Sequence, residues 1–191
     1  MPKIVTVVGV GALGSHLVQF LRNEDIVVRV VDFDRVEQRN VHSQFHGKPS
    51  VGKKKVEALK QSMLFLFGHK VQTIPNKLVE YNAETLLAGD LVIDCLDNQE
   101  ARTILQNSVR LSNTPCLHGA LAADGSFARV IWDEGFSIDS EVGQGEATCE
   151  SGEFLPFIAI ASAYLARAAQ IFLQSNEKRG FSISPSGAVV V

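Results

Sequence analysis

The sequence predicts an α/β fold in which a mostly parallel sheet carries helices on both faces and an antiparallel extension at its C-terminal side. Apolar, β-branched runs alternate with segments of helical spacing, and such alternation is typical of parallel sheets. A glycine-rich turn joins the first run to the first helical segment. After residue 120 there is no room for a crossover helix, which indicates a hairpin. Together these observations favour a Rossmann-like architecture.

The elements of the first 114 residues follow from the positions of the apolar side chains. Each strand is a short buried run, and each helix places its apolar residues on one side, such as Val56, Leu59 and Met63 in the second helix. In chain order the predicted elements are strand Lys3–Val8, helix "SHLVQFLR", a strand from Ile26 to Asp32, helix "VGKKKVEALKQSMLFLF", strand "DLVIDCLDN", helix "QEARTILQNSVRLS" and strand "TPCLHGALA".

The last third of the chain is organised differently. The stretch "GSFARVIWD" follows a turn at residues 123–125 and predicts the second strand of a hairpin. A polar loop covers 133–152, a helix of about five turns covers 154–174, and "FSISPSGAVVV" predicts one or two short strands. We therefore expect a single domain over 1–191, with a nucleotide-binding half at 1–114 and the hairpin, crossover loop and C-terminal helix at 115–191.

Composition excludes several classes of protein. With 191 residues, 20% charged, and a formal net charge of −3, the chain lacks the basic character of nucleic-acid binders. The longest apolar run, 154–166, contains Pro156 and is followed by Arg167, so a buried core or dimer helix is expected rather than a membrane span. The N-terminus leads directly into a strand, and three cysteines without a C-x-x-C pair suit a reducing cytoplasm.

A glycine fingerprint marks a nucleotide site. Gly9, Gly11 and Gly14 form G-x-G-x-x-G between the first strand and helix, and Asp32 lies 18 residues after Gly14 at the end of the next strand. The glycines permit a tight turn and close approach of a ligand, and the Asp32 carboxylate can accept hydrogen bonds from ribose hydroxyls. The pattern favours an adenosine-containing ligand, while an NAD-dependent oxidoreductase and a turn that merely packs the helix stay open as alternatives.

A second glycine-rich stretch, "FHGKPSVGKKK", nearly matches a phosphate-binding loop. Gly47, Gly52 and Lys53 fit the pattern, but Lys54 stands where a hydroxyl is required and no apolar strand precedes the stretch. We interpret the match as a coincidence. Lys55 begins the next helix, where free backbone N–H groups favour anions.

Several spaced motifs resemble the ThiF/MoeB/HesA family, which is related to the ubiquitin-activating enzymes. The stretches are "VVDFDRVEQRNVHSQF", "VGKKKVEAL" and "DLVIDCLDNQEAR", where the family has D-x-D-x-V-x-x-x-N-x-x-R-Q, G-x-x-K-[AV] and D-[CA]-x-D-N-x-x-x-R. The resemblance continues through "PCLHGALAADGSFARV" and "ATCESGEFLPFIAIASAYLARAAQIFL". It therefore covers nearly the whole chain.

The resemblance implies the roles of the site residues. Asp32 would hold the ATP ribose, Asn40 and Lys55 would lie on the phosphate side, and Asp97 would bind magnesium. Cys149 matches a loop cysteine that links covalently to the carrier in sulfur-transfer members. The implied catalytic residues are Cys149, Lys55 and Asp97, and the implied nucleotide-binding residues are Gly9, Gly11, Gly14, Asp32, Asp34, Asn40, Gln44, Lys55 and Asn98.

Each role has a plainer alternative. Lys55 can be a solvated residue of a charged helix face, and Asp97 can cap the following helix, although Asn98 can serve as that cap and Arg102 can brace the loop. Cys149 can be an inert loop thiol, because neighbouring glutamates raise a thiol pKa while the following helix lowers it.

The other potential ligands suggest core packing. Cys95 and Cys116 lie in or beside predicted strands and are expected in the core. His42 and His46 are four residues apart without a third partner, so a zinc site is not expected.

Three departures from the family pattern bear on activity. Ser43 stands before Gln44 where the family has an arginine, and Arg39 or Lys54 is a candidate substitute. The sequence also begins at the first strand, without the N-terminal arm, and lacks the zinc-binding C-x-x-C motifs. The chain is therefore expected to be a short form of the family.

The resemblance implies an ATP-dependent adenylyltransferase that activates the C-terminal carboxylate of a small ubiquitin-like or sulfur-carrier protein, with or without transfer to Cys149. It further implies magnesium as cofactor and a homodimer. The alternative is a nucleotide-binding subunit of low intrinsic activity that needs a partner chain, which the loss of phosphate-binding arginines would explain.

Overall fold

A computed structural model describes residues 1–122, 124–138 and 152–191, and within them eight strands form one sheet in the order β3-β2-β1-β4-β5-β6-β7-β8. The strands from β1 to β5 are parallel, and β6 to β8 extend the sheet antiparallel. The strands are β1 (Lys3–Val8), β2 (Ile26–Val31), β3 (Val71–Ile74), β4 (Leu91–Asp94), β5 (Cys116–Leu121), β6 (Ala128–Trp132), β7 (Phe181–Ser184) and β8 (Gly187–Val190).

Helices cover both faces of the sheet. The helices are α1 (Ala12–Phe20), α2 (Lys55–Phe67), α3 (Ala83–Leu86), α4 (Gln99–Ser112) and α5 (Leu155–Ser175). Apolar residues of α1, α2 and α5 share one buried cluster with the sheet, whereas those of α3 and α4 belong to a second cluster. The predicted fold class is confirmed, and the short α3 is an addition to the predicted elements.

The topology places the candidate site at one edge of the sheet. β1 lies between β2 and β4, with Val8 paired to Val31 on one side and to Asp94 on the other. The chain therefore leaves these three strands at neighbouring points, and a crevice opens at their carboxyl ends. Open parallel sheets bind ligands at such a switch point.

The second helix begins at Lys55, four residues into the predicted stretch, and buries the predicted side. Val56, Leu59 and Met63 are fully buried. The last four residues of the helix, 64–67, are all apolar and exposed. The helix ends at Gly68, whose φ of +66° is the left-handed conformation that glycine adopts readily.

α5 packs in the core of the protein although its length and apolar composition would also suit a membrane span. Its 21 residues and mean hydropathy of 1.4 are compatible with a membrane span by length and composition alone. However, Ile158, Leu165 and Ala168 are fully buried, and Ser162 Oγ donates to Leu13 O at 3.1 Å. Pro156 lies in the first turn, where its missing N–H is harmless, so the predicted helix is continuous.

Candidate functional site

A cavity of about 630 Å³ opens at the carboxyl ends of β1, β2, β4 and β5. Most of the residues that the sequence analysis selected line it. They are Gly9, Gly11, Asp32, Asp34, Gln44, Lys55, Asp97 and Asn98. Five separate segments of the chain thus meet in one concave surface of the size that binds a nucleotide.

The glycine loop has one open and two closed positions. Gly9 has φ +86°, and a Cβ there would lie 2.8 Å from Cys95 O. A Cβ on Gly14 would lie 1.9 Å from Gly9 O, so Gly14 serves close packing of α1 and does not line the cavity. A Cβ on Gly11 would meet only Gln44 Nε2, at 3.8 Å. The backbone at Gly11 is therefore the part of the loop that a ligand can approach.

The N-terminus of α1 also favours an anionic ligand. Gly11 is the N-cap, no side chain accepts its free N–H groups, and the first turn contains no acidic residue. Free N–H groups and the helix dipole favour an anion at this position. The loop and helix together suit a phosphate group.

Asp32 is held in place by the backbone. Its Oδ2 accepts the Val10 N–H at 2.8 Å, and its Oδ1 accepts the Asp34 N–H at 2.8 Å. Burial raises the pKa of this carboxyl, while the nearby Lys55 ammonium and the two N–H donors lower it. Because each carboxylate oxygen can accept more than one hydrogen bond, Asp32 retains capacity for a ligand hydroxyl.

Lys55 lies inside the site. Its Nζ is 3.0 Å from Asp34 Oδ2, its backbone N–H donates to Asp34 O at 2.8 Å, and its side chain is only 11% exposed. The alternative of a solvated Lys55 is therefore wrong. Lys53 donates instead to Gln61 and Lys54 to Phe33 O, and neither lines the cavity. The glycine-rich stretch at 45–55 thus contributes one lysine to the cavity.

Asn98 and Asp97 divide two roles that the sequence could not separate. Asn98 Oδ1 accepts the Ala101 N–H at 2.8 Å and caps α4. Asp97 is exposed to the cavity, and its carboxylate makes no hydrogen bond or ion pair with the residues that the structure describes. The cap alternative for Asp97 is therefore wrong, and its carboxylate is available to a cation.

Arg102 braces the loop between β4 and α4, as predicted. Its Nε donates to Leu96 O at 2.9 Å, and its Nη2 donates to Gly119 O at 2.7 Å. Its Nε also lies 3.4 Å from Asp94 Oδ2. One guanidinium thereby joins the end of β4 to β5 on the wall of the cavity.

The sequence analysis missed a buried polar cluster beside this wall. His118 is fully buried, and its Nδ1 and Nε2 lie 2.8 Å from Asp94 Oδ2 and 3.2 Å from Asp133 Oδ1. Asp133 also accepts from Gln106 Nε2 at 2.8 Å and Arg110 Nε at 2.7 Å. Burial alone would raise the Asp133 pKa, but these donors lower it. The signal in the sequence was a carboxylate and an imidazole inside apolar strands.

Two further residues of the cavity also escaped the sequence analysis. Asn76 and Lys77 line it from the segment after β3, and Lys77 Nζ lies 6.0 Å from the centre of the Phe33 ring. They belong to none of the motifs, so only the fold indicates them. Lys77 adds a cation to the cavity besides Lys55 and Arg102.

Asn40 is not brought to the cavity. Its side chain is turned inward because its Oδ1 accepts the Glu37 N–H at 2.8 Å, which caps a short 3₁₀ helix at Gln38–His42. Ser43 is fully buried and does not line the cavity. Cys149 lies outside the described residues.

Two buried histidines hold backbone carbonyls near the cavity, and one of these carbonyls belongs to the glycine loop. His46 is buried, and its Nε2 lies 3.0 Å from Val10 O; burial lowers its pKa to about 4. His16 Nε2 lies 3.1 Å from Ser43 O, and burial lowers its pKa too. A neutral ring that donates through Nε2 satisfies both contacts.

The two cysteines that the structure describes are poor nucleophiles. Cys116 is buried in β5 as predicted, whereas Cys95 follows β4 and lines the cavity. Burial raises both thiol pKa values well above the ordinary range. Within the described ranges no three His, Cys, Asp or Glu side chains form a metal-binding group. His42 and His46 therefore belong to no such group there.

Comparison with known proteins identifies relatives that are adenylyltransferases. The chain is 36% identical over 135 residues to the adenylyltransferase and sulfurtransferase UBA4 of Lodderomyces elongisporus, covering 68% of this chain and 30% of the relative. It is 30% identical over 166 residues to the molybdopterin-synthase adenylyltransferase of Salmonella typhimurium, covering 82% of this chain and 67% of the relative. The chain thus spans about a third of the first relative and two thirds of the second.

Solved structures share the fold. The crystal structure of E. coli MccB with ATP superimposes with a TM-score of 0.80 at 16% identity, covering 99% of this chain and 63% of that chain. At such low identity the likeness establishes the architecture alone. The sequence model of the ThiF family matches residues 3–181, which is nearly the entire chain. The chain belongs to the ThiF family.

Proposed function

We propose that the protein is an ATP-dependent adenylyltransferase that activates the C-terminal carboxylate of a small ubiquitin-like or sulfur-carrier protein. The observation that carries this proposal is one cavity that combines a phosphate-binding helix N-terminus with a buried lysine, Lys55, and an unpartnered carboxylate, Asp97. Hydride transfer to a nicotinamide would give neither of these two side chains a role.

The cavity is suited to ATP along its whole length. Asp32 faces the place of the ribose, and the open backbone at Gly11 with the α1 N-terminus faces the place of the phosphates. Lys55 and Lys77 supply positive charge, and Gln44 has a buried Oε1 without a partner among the described residues. The cations favour a polyanion, and the acceptor oxygens of Asp32 and Gln44 favour hydroxyl groups on the same ligand.

Magnesium is the cation proposed for Asp97. A free carboxylate beside a phosphate site fits the oxygen ligands that Mg²⁺ uses in nucleotide enzymes. Bound magnesium would neutralise phosphate charge during the reaction. Asn98 holds the start of α4 and so fixes the neighbouring carboxylate in the cavity.

The proposed reaction is nucleotidyl transfer to a carboxylate. A carboxylate oxygen of the carrier attacks the α-phosphorus, the bond from that phosphorus to the bridging oxygen of the β-phosphate breaks, and pyrophosphate leaves with the electron pair. The products are an acyl adenylate and pyrophosphate. The residues of the cavity accelerate this step by positioning the phosphates and stabilising the charge on them.

The carrier class rests on the relatives. The relatives named above are a molybdopterin-synthase adenylyltransferase and an adenylyltransferase and sulfurtransferase, and one structure of MccB contains MccA. An adenylyltransferase that acts on a synthase, or one that also transfers sulfur, supports a carrier protein as the substrate class proposed for this chain. Transfer from the adenylate to Cys149, with release of AMP and formation of a thioester, is the optional second step of the proposal.

A second candidate is a nucleotide-binding subunit that needs another chain. Ser43 is buried where the family pattern has an arginine, and Lys53 and Lys54 lie outside the cavity. Arg39 is paired with Glu37 at 2.7 Å. None of these residues lines the cavity, so none of them replaces the arginine that the family pattern has before the glutamine.

Pyrophosphate exchange into ATP tests the proposal. The purified protein with a cognate carrier ending in Gly-Gly should exchange labelled pyrophosphate, and Asp97→Ala should lower the rate by about a hundredfold through loss of charge stabilisation. Glu100→Gln, which removes another carboxylate of the cavity, and Cys149→Ser should retain exchange, because the thiol acts only after the adenylate forms.

The alternatives have their own outcomes. If the protein alone did not exchange pyrophosphate and a second chain restored exchange, the protein would be a subunit that needs a partner. Full exchange in Asp97→Ala would refute the magnesium role. Calorimetry with magnesium-ATP and with NAD separates the remaining alternative, since tighter binding of NAD would indicate an oxidoreductase.

The homodimer also stands as a proposal. Besides the predicted contribution of α5, exposed apolar side chains at 64–67 in α2 offer surface that favours association. Light scattering at micromolar concentration should give twice the mass of the 20.8 kDa chain. A single-chain mass across the accessible concentration range would contradict the dimer.

A further inference from the structure

The buried cluster around His118 lies next to the nucleotide cavity but does not line it. Its two ring nitrogens face the carboxylates of Asp94, at the end of β4, and of Asp133, directly after β6. One imidazole thus contacts two carboxylates that come from different parts of the chain. Arg102 and Arg110 of α4 lie against the same two carboxylates and balance their charge.

His118 also contacts the residues that follow β6. The 133–136 segment, which comprises Asp133 to Phe136, leads toward the loop that contains Cys149. The Phe136 ring stacks on the His118 ring with centroids 3.9 Å apart and planes 9° apart. Gln106 Nε2 donates to both Asp133 Oδ1 and Phe136 O. The segment is therefore fastened by a ring stack and by hydrogen bonds at both of its ends.

The same cluster reaches the nucleotide cavity through two shared groups. Asp94 accepts the Leu96 N–H at 2.8 Å as well as His118, so it holds the start of the loop that carries Asp97. Arg102 lines the cavity, and its guanidinium lies 5.6 Å from the centre of the Phe136 ring. A contiguous set of contacts thus runs from the cavity wall to the 133–136 segment.

We propose that His118 is a positioning residue that couples the nucleotide cavity to the 133–136 segment, so that a nucleotide bound at one end orders the other. The identity of the nucleotide rests on the proposed function. Bound ATP then restricts the 133–136 segment beyond the contacts that already hold it, through Asp94, Arg102 and His118.

The energetic basis is the cost of ordering. A ligand that contacts Leu96, Asp97 and Arg102 restricts their motion, and their partners His118 and Phe136 lose freedom with them. Any group that later binds the ordered segment meets less of this cost. Because coupling between sites is reciprocal, such a group would also tighten nucleotide binding.

Hydrogen-deuterium exchange tests the coupling with magnesium-ATP as the probe. In the wild-type protein ATP should slow exchange of the amides of residues 133–138 by about threefold or more. His118→Gln should bind ATP within about twofold of wild type by calorimetry, because His118 does not line the cavity, yet lose this slowing. A purely structural role would instead raise exchange across the sheet and leave the effect of ATP in place.

Arg110→Ala is the matched control. It removes two contacts to Asp133, at 2.7 Å and 3.3 Å, but leaves the histidine clamp intact, so ATP should still slow exchange. Slowing by ATP that is equal in His118→Gln and wild type, or absent from wild type, would overturn the coupling. Failure of the proposed function is seen separately, as absent pyrophosphate exchange with ATP bound.

A second variant covers the possibility that His118→Gln does not fold. Phe136→Ala removes the stacked ring and leaves both carboxylates paired with their hydrogen-bond donors. It should reduce the ATP-dependent slowing over 133–138 while ATP affinity is unchanged. Full slowing in this variant, with His118→Gln unfolded, would equally overturn the proposal.

Discussion

Single residues of the glycine loop have different functions although they belong to one motif. Gly9 and Gly14 face protein atoms within 3 Å of an added Cβ, whereas Gly11 faces the open cavity. The motif alone treats the three alike. The structure therefore separates a glycine that a ligand needs from glycines that the fold needs.

Replacing each of two glycines by alanine should reveal this difference. Gly14→Ala forces a methyl group to 1.9 Å from Gly9 O, so the free energy of unfolding should fall by about 2–3 kcal/mol or more and Tm by roughly 5–10 °C. Gly11→Ala should lower Tm less but weaken ATP binding by about tenfold. Thermal melting and calorimetry measure the two effects.

The reverse ranking would contradict this division. If Gly11→Ala unfolded the protein while Gly14→Ala only weakened ATP binding, the open position of the loop would be at Gly14.

At the scale of elements, the sequence predicted most of the fold because local signals and topology agree. The strand and helix at β1 and α1 are punctuated by glycines, and α4 has the predicted bounds because Asn98 caps it and Asn113, with φ 53°, ends it. Gly125 forms the predicted hairpin turn with φ +66°. Such signals act within a few residues, so a sequence displays them directly.

The parts that the sequence could not predict depend on contacts between distant elements. His118 meets Asp94 and Asp133 only because β5 lies between β4 and β6 in the sheet. Asn40 matches a family position, yet it caps its own 3₁₀ helix through Glu37, a choice between two hydrogen-bond partners that spacing does not determine. The candidate site was therefore predicted where motifs end in the cavity, and missed for Asn76 and Lys77, which belong to no motif, and for the side chains that meet around His118.

At the scale of the whole molecule, the same side-chain contacts stabilise the fold and shape the cavity. His46 holds Val10 O from below while Asp32 holds the Val10 N–H from above, so both sides of one peptide segment depend on side chains of other elements. Losing the neutral form of His46 affects the stability of the fold and the shape of the nucleotide site together.

The stability of the protein should therefore fall in mild acid because of His46. Burial lowers its pKa from 6.5 to about 4, so between these values the unfolded chain binds a proton that the folded chain does not. The free energy of unfolding should drop as the pH falls from 6.5 to 4, by up to about 3 kcal/mol, and lose no more from this group below pH 4. His46→Gln, which cannot titrate, should have a correspondingly flatter profile in urea unfolding over this window, while His42→Gln, at an exposed position, should follow wild type. Parallel profiles for wild type and His46→Gln would show that this histidine is not held neutral beneath the glycine loop.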